Sequence, residues 1–185
     1  IPEGVAATPS ALYVVVGATH PDLIRREGET YRTGLVERVR RHGLERHVRF
    51  VDRFVGRVEL TRWLEAADVV VTPYQDLDRT VSGTLSYAMG AGRAIVSTPY
   101  AYAAEMLADG RGVLVPPGSP AALARALNGV LGDRALRLAV GRQAHGDSRQ
   151  MVWSAIGGEY DRLFARVAGD HRRIVQALPH APLTA

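Results

Sequence analysis

The sequence predicts an α/β protein built on a doubly wound parallel sheet of about five strands, with extra helices at its C-terminal end. Three observations predict it. Short, nearly continuous apolar runs rich in β-branched residues recur, as parallel strands covered on both faces require. Helical periodicity separates them, so each strand feeds a crossover. After the fifth run the pattern is helical only.

The first run, Leu12 to Gly17 (LYVVVG), opens into the loop Gly17-Ala18-Thr19-His20. A helix marked by Leu35 and Val39 leads to the second strand, Val48 to Val51 (VRFV). Leu60, Leu64 and Ala67 mark the next helix, which delivers the third strand, Val69 to Tyr74 (VVVTPY). Ser82 then caps a short helix running to about Met89, and Gly83 keeps its first turn free of bulk. At about 100° per residue, Gly83, Thr84 and Tyr87 share one side of it, with Leu85 and Met89 on the opposite, core side. Gly90-Ala91-Gly92 leads into a strand instead of following one, so it reads as a helix C-terminal turn and not as a dinucleotide fingerprint.

Ala94 to Thr98 (AIVST) and Gly112 to Val115 (GVLV) are the fourth and fifth strands. Ser119 caps, and Pro120 opens, a helix carrying Leu123, Leu127 and Val130. Helices follow over Arg134 to Gln143 and from Met151 to about Val167, where Ile156, Tyr160, Leu163 and Val167 fall on one side. From Gly169 onward, with Pro179 and Pro182, the pattern weakens and fraying is expected. The expected division is a domain over residues 1–168 and a tail over 169–185.

Composition removes several chemistries. At 185 residues and 46% hydrophobic, the chain suits one globular domain with a full core. Cysteine is absent, which excludes disulfides, thiolate zinc sites and cysteine nucleophiles. None of the 23 strong cations is lysine, so a Schiff base and a P-loop lysine are excluded too. Phosphate contacts are left to arginine, backbone N–H groups and hydroxyls. The net charge is +4, but the arginines alternate with acids (Arg25-Arg26-Glu27, Glu37-Arg38, Glu45-Arg46), as on solvated helix faces, and no nucleic-acid partner is expected. No stretch is long and apolar enough to span a bilayer, and Ile1-Pro2-Glu3-Gly4 lacks the form of a signal peptide, so a soluble, cytoplasmic protein is expected.

Doubly wound sheets bind ligands outside the carboxyl ends of their strands. The loops to consider are Gly17 to His20, Asp52-Arg53-Phe54, Tyr74 through Thr80, Thr98-Pro99-Tyr100 and Val115 to Gly118. The third feeds the Ser82 helix, whose free N–H groups and positive dipole end make an anion site. Asp76 and Asp78 have no histidine or third acid near them in sequence and read as a solvated loop, so no metal is expected. Of six histidines, His20 stands out by its strand-end position, with a structural role favoured; His42, His47, His145, His171 and His180 read as surface. A phosphoacceptor domain would need Asp ending the third strand and Lys ending the fifth, where this chain has Thr72-Pro73-Tyr74 and Val115-Pro116-Pro117. A serine hydrolase would need Gly-x-Ser-x-Gly, where it has Thr80-Val81-Ser82-Gly83.

Four segments in order carry a resemblance: "VRFVDRFV…LTRWLEAADVVVTPY", "LSYAMGAGRAIVSTPY", "AAEMLADGRGVLVPPGSPAALARAL" and "MVWSAIGGEYDRLF". From Leu12 to about Val167 the chain resembles the C-terminal, donor-binding half of family-4 retaining glycosyltransferases, which have the two-domain GT-B fold with two Rossmann-like halves. The resemblance implies a nucleotide-diphosphate sugar donor, with its pyrophosphate on Ser82, Gly83 and Thr84 and its base near Arg53 and Phe54. His20 completes the candidate substrate-binding set. The family's two glutamates, which contact the donor sugar and the ribose, are replaced at the aligned positions by Arg79 and Tyr87. Either the donor contacts are rearranged, with Tyr87 hydrogen-bonding a ribose, Arg79 pairing with phosphate and Asp76 or Asp78 supplying the lost carboxylate, or activity is impaired.

The resemblance further implies one more strand ahead of Leu12, in the middle of the sheet, and an N-terminal acceptor half. The chain is therefore expected to be a fragment of a two-domain enzyme, inactive alone, with no catalytic base or nucleophile of its own and no cofactor. Its five strands are expected in the order 2-1-3-4-5, the first and third adjacent or separated by a gap. A gap would leave unpaired edges and favour a homodimer or strand exchange. The alternatives are a GT-B sugar-nucleotide epimerase and a non-catalytic nucleotide-binding or interaction module.

Overall fold

The computed structural model describes residues 8–177, with side chains as far as Gly169. The order is β1 (Tyr13–Val16), α1 (Pro21–Glu27), α2 (Thr30–Arg41), β2 (Val48–Val51), α3 (Arg57–Ala66), β3 (Val69–Thr72), α4 (Gly83–Gly90), β4 (Ala94–Ser97), α5 (Ala101–Met106), β5 (Val113–Leu114), α6 (Pro120–Gly132), α7 (Arg134–Ser148), a 3-10 turn (Arg149–Met151) and α8 (Trp153–Ala177). Every strand pair is parallel, and the alternation is that of a doubly wound α/β fold.

Two compact units divide the chain, one through Gly146 and one from Asp147. In the second unit, α8 passes Gly169 and continues to Ala177, which corrects the expectation of fraying from Gly169. A lone glycine costs a helix about 1 kcal/mol relative to alanine, and no proline follows until Pro179. On α8, Tyr160, Leu163 and Val167 are all exposed. Residues 178–185, with Pro179, His180 and Pro182, and the side chain of His171 lie outside what is described.

The larger unit is organised around β4, flanked by β3 and β5. Successive β4 side chains point to opposite faces, and all four residues are buried. Ile95 joins a cluster with Leu64 of α3, Leu85 and Met89 of α4, and Ala103 and Leu107 at α5. Ala94 and Val96 join Val115, Val130 of α6 and Val140 of α7 on the other face. Burial on both faces is why these strands read as unbroken apolar runs. The two buried hydroxyls at the strand ends satisfy each other: Thr72 Oγ1 donates to Ser97 Oγ (2.8 Å), which donates to the Thr72 carbonyl (3.1 Å).

The sheet is not continuous. β1 pairs with β2, β3 and β5 pair with β4, and β1 and β3 share no hydrogen bonds, so the gapped arrangement is the one observed. The N–H groups of Tyr13 and Gly17 donate to the carbonyls of His47 and Val51. Alternation along the strand then turns the polar groups of Val14 and Val16 to the other edge, which no described strand covers. Tyr13 is exposed and Val14, Val15 and Val16 are only half-buried. Among the described residues, no helix is long and apolar enough to cross a membrane.

Candidate functional site at the strand ends

Ser82 sits in extended conformation ahead of α4, and its Oγ accepts the Leu85 N–H at 3.2 Å. The helical ladder starts with Ser86 N–H to the Ser82 carbonyl (3.1 Å). The N–H groups of Gly83 and Thr84 have no hydrogen-bond partner among the described residues. Both residues are exposed, and a Cβ placed on Gly83 would meet no atom within 4 Å. Two unpaired donors thus stand in open space at the positive end of a helix. Leu85, Ala88 and Met89, all fully buried, anchor α4 from below, while Tyr87 is half-exposed on the open side. The helix closes on Gly92 at φ +66°, with Gly92 N–H bonded to Met89 O (2.9 Å) and Arg93 N–H to Ala88 O (3.2 Å). That is the Schellman pairing, so Gly90-Ala91-Gly92 is a helix terminator.

The loop ahead of α4 is pinned to the start of α5. Ala101 N–H donates to Leu77 O (2.8 Å) and Tyr102 N–H to Arg79 O (3.1 Å), while Thr98 Oγ1 donates to Tyr74 O (2.6 Å). The Tyr74 and Tyr100 rings pack 5.2 Å apart, and the Arg79 guanidinium lies 4.6 Å above the centre of the Tyr74 ring. Stacking uses the face of the guanidinium and leaves its in-plane N–H groups able to meet an anion. Ser86 Oγ and Tyr102 OH share a hydrogen bond (2.9 Å). Asp76 folds back to accept the Asp78 N–H (3.2 Å), an Asx turn, and both carboxylates are exposed. Among the described residues no group of three or more His, Asp or Glu side chains could hold a metal ion.

The other candidates lie at the ends of β1 and β2, where the Val16 to Val51 register sets Gly17 beside Asp52. His20 caps α1, its Nδ1 accepting the Asp22 N–H (3.2 Å). Arg53 grips Glu59 with both ends of its fork; Nη1 to Oε2 measures 2.8 Å, and Nη2 meets Oε1. Trp63 Nε1 also donates to Glu59 Oε1 (3.2 Å). The hydrogen bonds from Arg53 hold the Glu59 carboxyl below its usual range, and Glu59 in turn raises Arg53. Next to this pair Phe54 is 86% exposed, an uncovered apolar ring at a strand end.

The structure therefore gathers Arg79, Ser82, Gly83, Thr84 and Tyr87 on one helix and its leading loop, and places His20 with Arg53 and Phe54 at two neighbouring strand ends. Sequence reasoning missed Arg32, which reaches Gly17, Thr19 and Asp52 from α2; nothing in the local pattern of α2 marks it. Shallow, open patches beside Asp22, Arg25 and Arg26 on α1 and from Glu29 to Glu37 lie apart from these residues.

No curated protein sequence gives a significant match to this chain. Among solved structures, HepE of Anabaena, crystallised with UDP, superposes with a TM-score of 0.74 at 19% identity, over 91% of this chain and 44% of its own. Sucrose-phosphate synthase of Thermosynechococcus elongatus gives 0.73 at 23% identity, over 91% of this chain and 42% of its own. The C-terminal domain of a group 1 glycosyl transferase (LpcC) from Francisella tularensis gives 0.68 at 22% identity, over 82% and 76%. This chain thus spans less than half of the first two proteins. At these identities the likeness is one of fold, that of the Rossmann-like half of a GT-B structure. Residues 5–133, a stretch holding all five strands and α4, match the family model described as glycosyl transferases group 1. With that match over most of its length and an open helix start at the carboxyl ends of its strands, the chain belongs to the group 1 glycosyl transferase family.

Proposed function

We propose that residues 1–168 form the donor-binding half of a two-domain, cytoplasmic, retaining glycosyltransferase of family 4. The pyrophosphate of a nucleotide-diphosphate sugar rests on the first turn of α4, held by the N–H groups of Gly83 and Thr84 and the Thr84 hydroxyl. Arg79 approaches from the loop above Tyr74, Tyr87 meets the ribose, and the base lies against Phe54 near Arg53 and His20. The observation that carries this reading is the pair of unpartnered N–H groups in open space at the start of α4. UDP bound to HepE, a protein of similar fold, supports the donor class. Departure of the phosphate is assisted by helix dipole, N–H groups and arginine, which stabilise the developing negative charge. The acceptor site belongs to a separate N-terminal half, so this chain alone binds donor without turnover.

Titration calorimetry of the 185-residue chain with UDP, GDP and ADP tests the reading. Saturable binding of at least one is expected, and silence at millimolar concentration sinks it. Gly83→Ala keeps the fold, since its Cβ meets nothing, yet crowds the phosphate and is expected to weaken binding about fivefold, the worth of one hydrogen bond. Equal affinity in wild type and variant would move the phosphate away from α4.

The replacement of both family glutamates by Arg79 and Tyr87 favours a second reading, a non-catalytic nucleotide-binding or interaction module. A sugar-nucleotide epimerase is separated from both by following the bound sugar, which it alters without passing it on. The open edges of β1 and β3 support a homodimer by edge pairing or strand exchange. Light scattering is then expected to report twice the 20.0 kDa chain mass at micromolar concentration; a monomer throughout rules this out.

A further inference from the structure

At the carboxyl ends of β1 and β2 one cation reaches three segments of chain. Arg32 projects from the first turn of α2, and its side chain is only 14% exposed. Its Nη2 donates to the Gly17 carbonyl (2.8 Å) and lies 3.1 Å from Asp52 Oδ1, while its Nε donates to Thr19 Oγ1 (3.2 Å). Thr19 Oγ1 donates in turn to Glu29 Oε2 (2.7 Å), which lies 3.5 Å from Arg32 Nε. The fork thus holds a backbone carbonyl, a hydroxyl and a carboxylate at once, which a lysine ammonium on its flexible stem cannot reproduce. Gly17 has φ +133°, a conformation reserved for glycine, and a Cβ there would meet nothing within 4 Å. No side chain at Gly17 itself can therefore hold the turn out of β1 by packing. Besides Arg32, the last rung of the ladder, Gly17 N–H to Val51 O (3.1 Å), ties the ends of the two strands from which these loops leave.

We infer that Arg32 is a positioning residue for the base end of the nucleotide. It sets the loops at residues 17–20 and 52–54 in place before ligand arrives, so that His20 and Phe54 need not be ordered on binding. The inference rests on the donor-binding reading above and adds to it a division of labour: α4 serves the phosphates, and Arg32 serves the base through two loops it does not belong to.

The test compares the full wild-type chain with Arg32→Ala and Arg32→Lys by amide hydrogen exchange and by calorimetry with two ligands. One is whichever of UDP, GDP and ADP the wild type binds most tightly; the other is inorganic pyrophosphate. In Arg32→Ala, exchange is expected to quicken at residues 17–20 and 52–54 while the β4 amides stay protected. Nucleotide affinity is expected to fall about tenfold, the cost of ordering several side chains on binding. Pyrophosphate affinity stays within about twofold, as for independent sites. Arg32→Lys, keeping one of the three contacts, recovers part of the nucleotide loss. Unchanged exchange in either loop, or equal weakening of both ligands, overturns the inference while leaving the donor site standing. A wild-type chain that binds pyrophosphate but no nucleotide also overturns it, and one that binds neither removes the donor reading with it.

Discussion

Gly141→Ala is expected to destabilise the larger unit by about 3 kcal/mol, the upper range for overpacking a closed interior. Alanine is the better helix former by about 1 kcal/mol, and propensity alone forecasts a gain. The tertiary contact reverses the sign. A Cβ on Gly141 in α7 would lie 2.4 Å from the carbonyl oxygen of Gly92 and 3.2 Å from its carbon, both backbone atoms that no rotamer change can withdraw. Gly92 is itself held at φ +66° by the two hydrogen bonds that end α4, so relief would have to shift the helix terminus or the whole of α7. Gly129→Ala in α6 is the control, because its Cβ meets nothing within 4 Å and the propensity gain is left unopposed. Urea unfolding should show the midpoint falling in the first variant and rising in the second. A Gly141→Ala midpoint at or above wild type would mean that α7 does not approach the turn this closely.

Leu85→Ala is expected to cost about 3 kcal/mol, within the range for emptying a fully buried leucine site. Leu85 has no exposed surface and packs with Met89, Ile95, Tyr100 and Leu107 in the cluster beneath α4. For a chain of this size the melting midpoint should drop by roughly 6–12 °C. The backbone of Leu85 remains bonded to Ser82 Oγ, so the loss is one of packing, and the urea slope should stay unchanged. A loss below about 1 kcal/mol would show that the helix is seated by its cap and loop rather than by its core face. The two variants probe one device from opposite ends, since α4 is held by its buried leucine near the start and by the Gly92 closure at its finish.

Much of this architecture is legible in the chain itself, for local reasons. The run Ala94 to Thr98 reads as a strand covered on both faces because it is short, apolar and β-branched, and Ala94–Ser97 is such a strand. Ser82 and Ser119 announce helix starts because their hydroxyls reach N–H groups three residues on, at Leu85 and Ala122. The Gly-Ala-Gly stretch announces a helix end because an αL position follows a helix and precedes a strand. The candidate anion site was legible for the same reason, since a cap, a glycine and a helix are contiguous. His20 stood out by position, and the structure employs its ring as the cap of α1, a local role that a residue one step before Pro21 is placed to fill.

What was not legible depends on residues far apart in the chain. Arg32 looks like any other arginine of a solvated helix, and only the folding of β1 against β2 brings Gly17, Thr19 and Asp52 within reach of its fork. Gly141 resembles Gly129 in sequence, yet one meets a backbone and the other meets nothing. The stacking of Arg79 on Tyr74 links a loop to its own strand end, and no spacing rule forecasts it. The split between β1 and β3 was left open by the sequence, because a strand's apolar pattern states that its faces are covered and is silent on which neighbours its edges have. The chain by itself determined its fold class, its five strands, most of its helices and the capped helix start at Ser82, since these arise from periodicity and capping within a few residues. The gap in the sheet, the closeness of α7 to the Gly92 turn and the reach of Arg32 were decided only by tertiary structure, because edge pairing, steric contact and long-range hydrogen bonds exist only once distant segments meet.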